Sequence, residues 1–148
     1  MIRCSQLSLL TLCAILSGCA SASMLPKNAL DVNWDAPEGK TGWSSYQEAY
    51  YFPDTTRDQI YSAAKAGLGN ADFALLRADI QSGIVIGQHG MTAHDWNIIA
   101  GVYFIKHETG YNVRVLVEGS KDLGFSGDAT SGGWTGRILN TMRASLNR

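Results

Sequence analysis

A chain of 148 residues, 45% hydrophobic and 17% charged, with 12 Lys plus Arg against 13 Asp plus Glu, has the composition of one ordinary globular domain. That balance excludes a disordered, collagen-like or polytopic membrane protein. A formal net charge of -1 argues against nucleic-acid binding, which needs clustered Lys and Arg to displace phosphate counterions, and no such cluster stands in the sequence.

The N-terminus reads MIRCSQLSLLTLCAILSGC, with a single positive charge at Arg3 and an apolar run from Leu7 to Leu16 interrupted only by Ser8 and Thr11. This is the layout of a signal peptide. As a helix the run spans roughly 15 Å, half of a bilayer core of about 30 Å, so it is too short for a stable membrane span.

At the end of the run stand Leu16, Ser17, Gly18 and Cys19. This order, an aliphatic residue, two small residues and then cysteine, resembles the lipobox of bacterial lipoproteins. The resemblance implies that Leu16, Ser17 and Gly18 are read by the signal peptidase, that residues 1–18 are removed, and that Cys19 becomes the first residue with diacylglycerol in thioether linkage. It further implies passage through the lipoprotein-processing and sorting machinery. Ala20 and Ser21 follow the lipidated cysteine where an Asp would mark inner-membrane retention in many enteric bacteria, so the implied destination is the outer membrane, facing the periplasm.

Cysteine usage agrees with this reading. Cys4 and Cys13 lie in the removed segment and Cys19 carries lipid, which leaves no free thiol for a disulfide scaffold, for cysteine catalysis or for Cys-ligated zinc. The processed chain keeps 11 basic against 13 acidic residues, so attachment to the membrane must come from the acyl chains, at roughly 0.8 kcal/mol per buried methylene. No cofactor beyond this covalent lipid is expected.

Residues 19–42 hold two of the three prolines, several small polar residues and no sustained period, and read as the lipidated N-terminus and a tether. Trp34 is the one residue there with reason to dock on a domain. A single globular domain is expected over residues 43–148. Its first strand is the aromatic run in which Tyr46, Glu48, Tyr50 and Phe52 alternate with Gln47, Ala49 and Tyr51, ended by Pro53. A helix follows over residues 54–69, with Thr55 and Asp58 spaced as a capping box, Ile60, Ala63, Ala64, Gly67 and Leu68 on one face, and Gly67 and Gly69 as the stop.

Four more strands are expected over residues 73–78, 84–88, 98–107 and 111–118, the last two joined at Glu108, Thr109 and Gly110. Ile98, Ala100, Val102 and Phe104 share one face of their strand, and Val113, Val115 and Val117 one face of theirs, opposite Asn112, Arg114 and Glu118. A second helix over residues 134–147 repeats Trp134, Ile138, Leu139, Met142 and Leu146 at helical spacing. The order β-α-β-β-β-β-α predicts an α+β two-layer sandwich, a mostly antiparallel sheet of about five strands with both helices on one face and the other face partly wet.

Residues that could carry chemistry are few. His89, His94 and His107 are the histidines, and His94 with Asp95 is the pair that a hydrolase would use, but no HExxH or other recognised metal signature accompanies them. The stretch GFSGDATSGGWTG over residues 124–136 precedes the last helix, yet lacks the Lys-Ser/Thr pair of a phosphate loop. No Gly-x-Ser-x-Gly elbow is present. Exposed aromatics would mark a partner surface, and Trp43, Tyr46 and Tyr51 are the candidates, with Tyr50 and Phe52 assigned to the core. The expectation is therefore a lipid-anchored, non-catalytic module with a membrane through its acyl chains and an envelope protein as partners, and no metal. The alternative is a binder of small ligands or cell-wall fragments.

Overall fold

The computed structural model describes residues 21–42, 44–90, 97–119 and 132–147. Among these, six strands form one antiparallel sheet: β1 (Gly39–Lys40), β2 (Ser45–Phe52), β3 (Phe73–Asp79), β4 (Ile84–His89), β5 (Ile98–His107) and β6 (Gly110–Glu118), in the spatial order β1-β2-β6-β5-β4-β3. Helices α1 (Arg57–Asn70) and α2 (Gly133–Leu146) pack on one face of it and on each other. The fold is α+β, with the expected order of the longer elements. The sixth strand, β1, pairs Gly39 with Gln47 and Lys40 with Tyr46, and two residues are too few to show a period of two in a sequence.

The helix-side core is built by the alternation read from the sequence. Ile98, Ala100, Val102 and Phe104 of β5 and Val113, Val115 and Val117 of β6 meet Ile60, Ala64 and Leu68 of α1 and Trp134, Ile138 and Met142 of α2. At about 1.5–3 kcal/mol for each large side chain taken fully out of water, this cluster is the main store of stability.

The N-cap of helix α1 falls one residue later than expected. Thr56, not Thr55, is the N-cap: its hydroxyl accepts from the Gln59 amide at 3.3 Å, and the Gln59 side chain accepts from the Thr56 amide at 2.8 Å. Thr55 is occupied elsewhere, donating to the Phe52 carbonyl at 2.9 Å to close the turn in which Asp54 takes a φ of 51°. Nor is Gly67 a stop. The helix runs through Gly67 and Gly69 to Asn70, and Asp72 makes the left-handed turn beyond it at φ 64°.

Gly67 is buried where α1 crosses α2. A Cβ there would lie 2.9 Å from the Ile138 carbonyl oxygen and 3.2 Å from Met142 Cγ. The turn between β5 and β6 comprises Glu108 and Thr109, with Gly110 already in the ladder opposite His107. Gly110 has its own steric reason, since a Cβ would stand 1.9 Å from the Phe52 carbonyl oxygen.

The two ends of the sheet differ. β1 is two residues long, whereas β3 is a full-length edge whose register slips between Leu75 and Arg77, so that Leu76 bulges out of the ladder. Leu75 and Leu76 are about half exposed there.

The face away from the helices is covered over β4 and β5 and stays open over β2 and β6. Residues of the stretch read as a tether cross it: Leu25, Ala29 and Val32 are buried against Ile84, Ile86, Ile99 and Tyr103, and Trp34 packs beside them. Two 3-10 turns, Ala22–Met24 and Ala29–Asp31, shape this strap. Trp34 docks, and Leu25, Ala29 and Val32 dock with it, because β4 and β5 are apolar on both faces and the second face needs a cover.

The two glycines of α1 separate packing from helix propensity. Replacing Gly69, which has open space around its Cβ position, with Ala is expected to stabilise the protein by up to about 1 kcal/mol. Gly67→Ala is expected to destabilise it by about 1–3 kcal/mol despite the same propensity gain, because the helices must separate. Urea unfolding of the two variants measures both.

Candidate functional site

A strap without regular pairing leaves backbone carbonyls that need donors when they are covered. Side chains from the outer sheet face supply them. Tyr103, fully buried on β5, donates its hydroxyl to the Pro26 carbonyl at 2.9 Å. Arg114 on β6 donates from one terminal nitrogen to Trp34 O at 2.7 Å and from the other to Ala36 O at 2.9 Å. Gln47 on β2 donates to Pro37 O at 2.6 Å, and the Trp34 indole nitrogen donates to Ala29 O at 2.9 Å. The Ala29 amide in turn reaches Ser82 O at 2.9 Å, in the turn between β3 and β4.

Two glycines make room for this arrangement. The Tyr103 ring lies over Gly101, where a Cβ would meet ring carbon at 2.6 Å, and Gly83, at φ 66°, faces the Phe104 carbonyl and Ala29 Cβ. Burial raises the Tyr103 pKa above its ordinary value, with Asp31 and Glu118 adding to the effect and Arg77 opposing it. The phenol therefore stays a donor. Burial also lowers the Arg114 pKa, against Glu38 and Asp35, which raise it, and a guanidinium remains charged even so.

Between the strap and β2 and β6 runs an open cleft of about 340 Å³ lined by Trp34, Asp35, Glu38, Tyr51, Asn112 and Arg114. Its floor is the outward row of β2 and β6, its walls the strap. It combines aromatic surface, two carboxylates and an amide, a set that can stack on a ring and bond hydroxyl or amine groups.

Tyr51 lines this cleft and touches His107 edge-on at a centroid distance of 5.6 Å. Tyr46 does not share its surface. Five residues apart on one strand, the two point to opposite faces, and the Tyr46 hydroxyl lies toward the helix layer beside Gly132, the N-cap of α2. The third candidate, Trp43, lies outside the described residues, as do Leu16, Ser17, Gly18, Cys19, His94, Asp95 and residues 124–131. Tyr50, assigned to the core, is instead 38% exposed at the sheet margin, with the Arg143 guanidinium 4.1 Å over its ring. Phe52 is buried.

His89 packs on Trp134 and Phe73 at 4.7 and 5.5 Å, and its Nδ1 meets the Gly90 carbonyl at 2.8 Å, which assigns the proton to that nitrogen. His107 is at the other end of the sheet, exposed, 3.9 Å from Glu108. Among the described residues no three His, Cys, Asp or Glu side chains come together as a metal site, and no helix is long and apolar enough to cross a membrane. Sequence reasoning missed Tyr103, Arg114 and Gln47. The available signal was two polar residues, Gln47 and Arg114, in strands whose outward rows continue an apolar surface.

No family model matches the chain, and no curated protein matches it. Among solved structures it is similar to TTHA0849 from Thermus thermophilus (8% identity over 70% of this chain and 97% of that one, TM-score 0.43). A second is CV1439 from Chromobacterium violaceum (11% identity, 71% and 99%, TM-score 0.40). A third is Ara h 8.0201 (8% identity, 70% and 98%, TM-score 0.42). Likeness at this level carries neither fold assignment nor function to this chain.

The clamp makes two expectations. Arg114→Lys cannot span both carbonyls and is expected to cost about 2–3 kcal/mol in urea unfolding, since bonds to a charged donor contribute about 1.5–3 kcal/mol. Tyr103 has a folded pKa raised above the ordinary 10.0, so its contribution is complete below pH 10 and falls as pH rises through the alkaline range. Tyr103→Phe is expected to flatten that alkaline loss, read as melting temperature against pH.

Proposed function

We propose that the chain is a lipid-anchored lipoprotein of the bacterial envelope that acts as a non-catalytic interaction module, an accessory part of an envelope complex. The observation that carries this reading is Leu16-Ser17-Gly18-Cys19 directly after a short apolar run with one leading positive charge. Acylation of Cys19 makes attachment effectively permanent, because several chains together exceed the marginal affinity of one. Ala20 and Ser21 favour the outer membrane, facing the periplasm. The partner is an envelope protein, reached from the membrane surface.

A second reading rests on the cleft beneath the strap. Its volume of about 340 Å³ is at the lower end of small-molecule sites, and Trp34, Tyr51, Asp35 and Glu38 suit a sugar or amino-sugar fragment of the cell wall. Thermal-shift screening with such fragments separates the two readings, since a ligand that binds the folded state raises its stability by RT ln(1 + [L]/Kd).

Cys19→Ala is expected to abolish palmitate incorporation and to leave unprocessed precursor or soluble protein. Continued labelling of that variant refutes the anchor. Crosslinking of the wild-type protein in membranes, followed by purification through a C-terminal tag, is expected to return one defined partner that the Cys19→Ala variant does not. Recovery of the lipidated protein alone counts against the accessory role.

A further inference from the structure

We infer that the domain lies directly on the bilayer that holds Cys19, with the strap side down and Leu30 inserted among the lipids. This rests on the lipoprotein reading above and specifies how that protein sits. Six peptide steps separate Cys19 from Leu25, which is 3% exposed and fixed in the outer sheet cluster. Fully extended, six residues reach about 21 Å. Much less is available, because the chain is already folded from Ser21, whose carbonyl accepts from the Met24 amide at 2.9 Å, and only two peptide steps, about 7 Å, separate Cys19 from it. A headgroup layer is itself about 5–7 Å deep, so the surface around Ser21 and Leu25 meets it.

That surface carries the most exposed large apolar side chain among the described residues. Leu30 is 88% exposed, five residues beyond Leu25, and Met24 on the other side of Leu25 is 39% exposed. Leu30 is presented by a turn that cannot fold it inward: the Asn28 side chain caps the Leu30 and Asp31 amides at 2.8 and 3.1 Å, while Ala29 beside it is buried and bonded to Ser82. Leu30 stands at the mouth of a cleft of about 400 Å³ whose charged lining is Arg57 and Lys106. Lys27 and Asp31 flank it along the strap, and Asp79 nearby, at the surface, accepts from Ser82, the Gln81 amide and Arg77. Lys27, Arg57 and Lys106 outnumber the carboxylates Asp31 and Asp79 here, a balance that suits a phosphate headgroup layer, and an apolar side chain beside them matches the acyl boundary.

The test uses the full lipidated protein in phosphatidylglycerol-containing vesicles, with a bimane label on Leu30→Cys or, as the control, on Ala144→Cys of α2 in the opposite layer. After processing neither variant has another free thiol. Mass spectrometry first confirms the lipid on Cys19. With brominated lipid the label at residue 30 is expected to lose about half or more of its emission and the label at residue 144 to keep nearly all of it. Equal emission at both positions in a protein shown to carry lipid overturns this orientation and leaves the lipoprotein reading standing. Absence of lipid from Cys19 overturns both.

Discussion

The sheet has two apolar faces, and the rest of the structure follows from covering both. Strands β4 and β5 alternate Val85, Ala100, Val102 and Phe104 toward the helices with Ile84, Ile86, Ile99 and Tyr103 away from them. Two helices cover the first set. Left open, the second would present a contiguous apolar patch of the kind that drives association. The N-terminal strap closes it with Leu25, Ala29 and Val32, each only a few per cent exposed.

Covering a sheet with irregular chain raises a polar problem that a helix does not, because a helix satisfies its own carbonyls. Here the solution is distributed over three strands: Gln47, Tyr103 and Arg114 each aim a donor at a carbonyl of the strap. Tyr103 does so while supplying apolar area, since its ring lies flat over Gly101. Arg114 does so at the cost of burying a charge, offset by two charge-assisted bonds and by Asp35 and Glu38 nearby. The strap is thus bound by a few directional contacts superposed on a small apolar cluster.

The longer elements were legible because their periods are clean. Ile60, Ala63, Ala64, Gly67 and Leu68 repeat at helical spacing, and the valines of β6 at strand spacing, so both core faces follow from the residues alone. Caps and stops were less legible: Thr55 and Thr56 both precede a helix, and only the turn after Phe52 decides between them. The role of Gly67 needs the partner helix, which no local pattern contains. The strap escaped for a different reason. Its three anchor residues lie among prolines and polar residues without a period, and the evidence for it stood elsewhere, in the near-continuous apolar runs IVIG and IIAGVYFI, which fit strands buried on both sides rather than one. Candidates chosen as aromatic neighbours in sequence, Tyr46 and Tyr51, were divided by the same alternation that made the strand readable.

The bulge at Leu76 bears on what happens when two copies of this protein meet. A flat sheet margin would template strand-by-strand growth from molecule to molecule. β3 offers no continuous ladder for such growth. Its hydrogen-bonding groups fall out of step between Leu75 and Arg77, where a charged side chain also projects, and the opposite margin is divided between the two residues of β1 and the part of β2 beyond Gln47. A neighbouring copy would have to straighten the bulge before it could add a strand. One extra residue in an edge thus guards against edge-to-edge growth, independent of whatever the other surfaces bind.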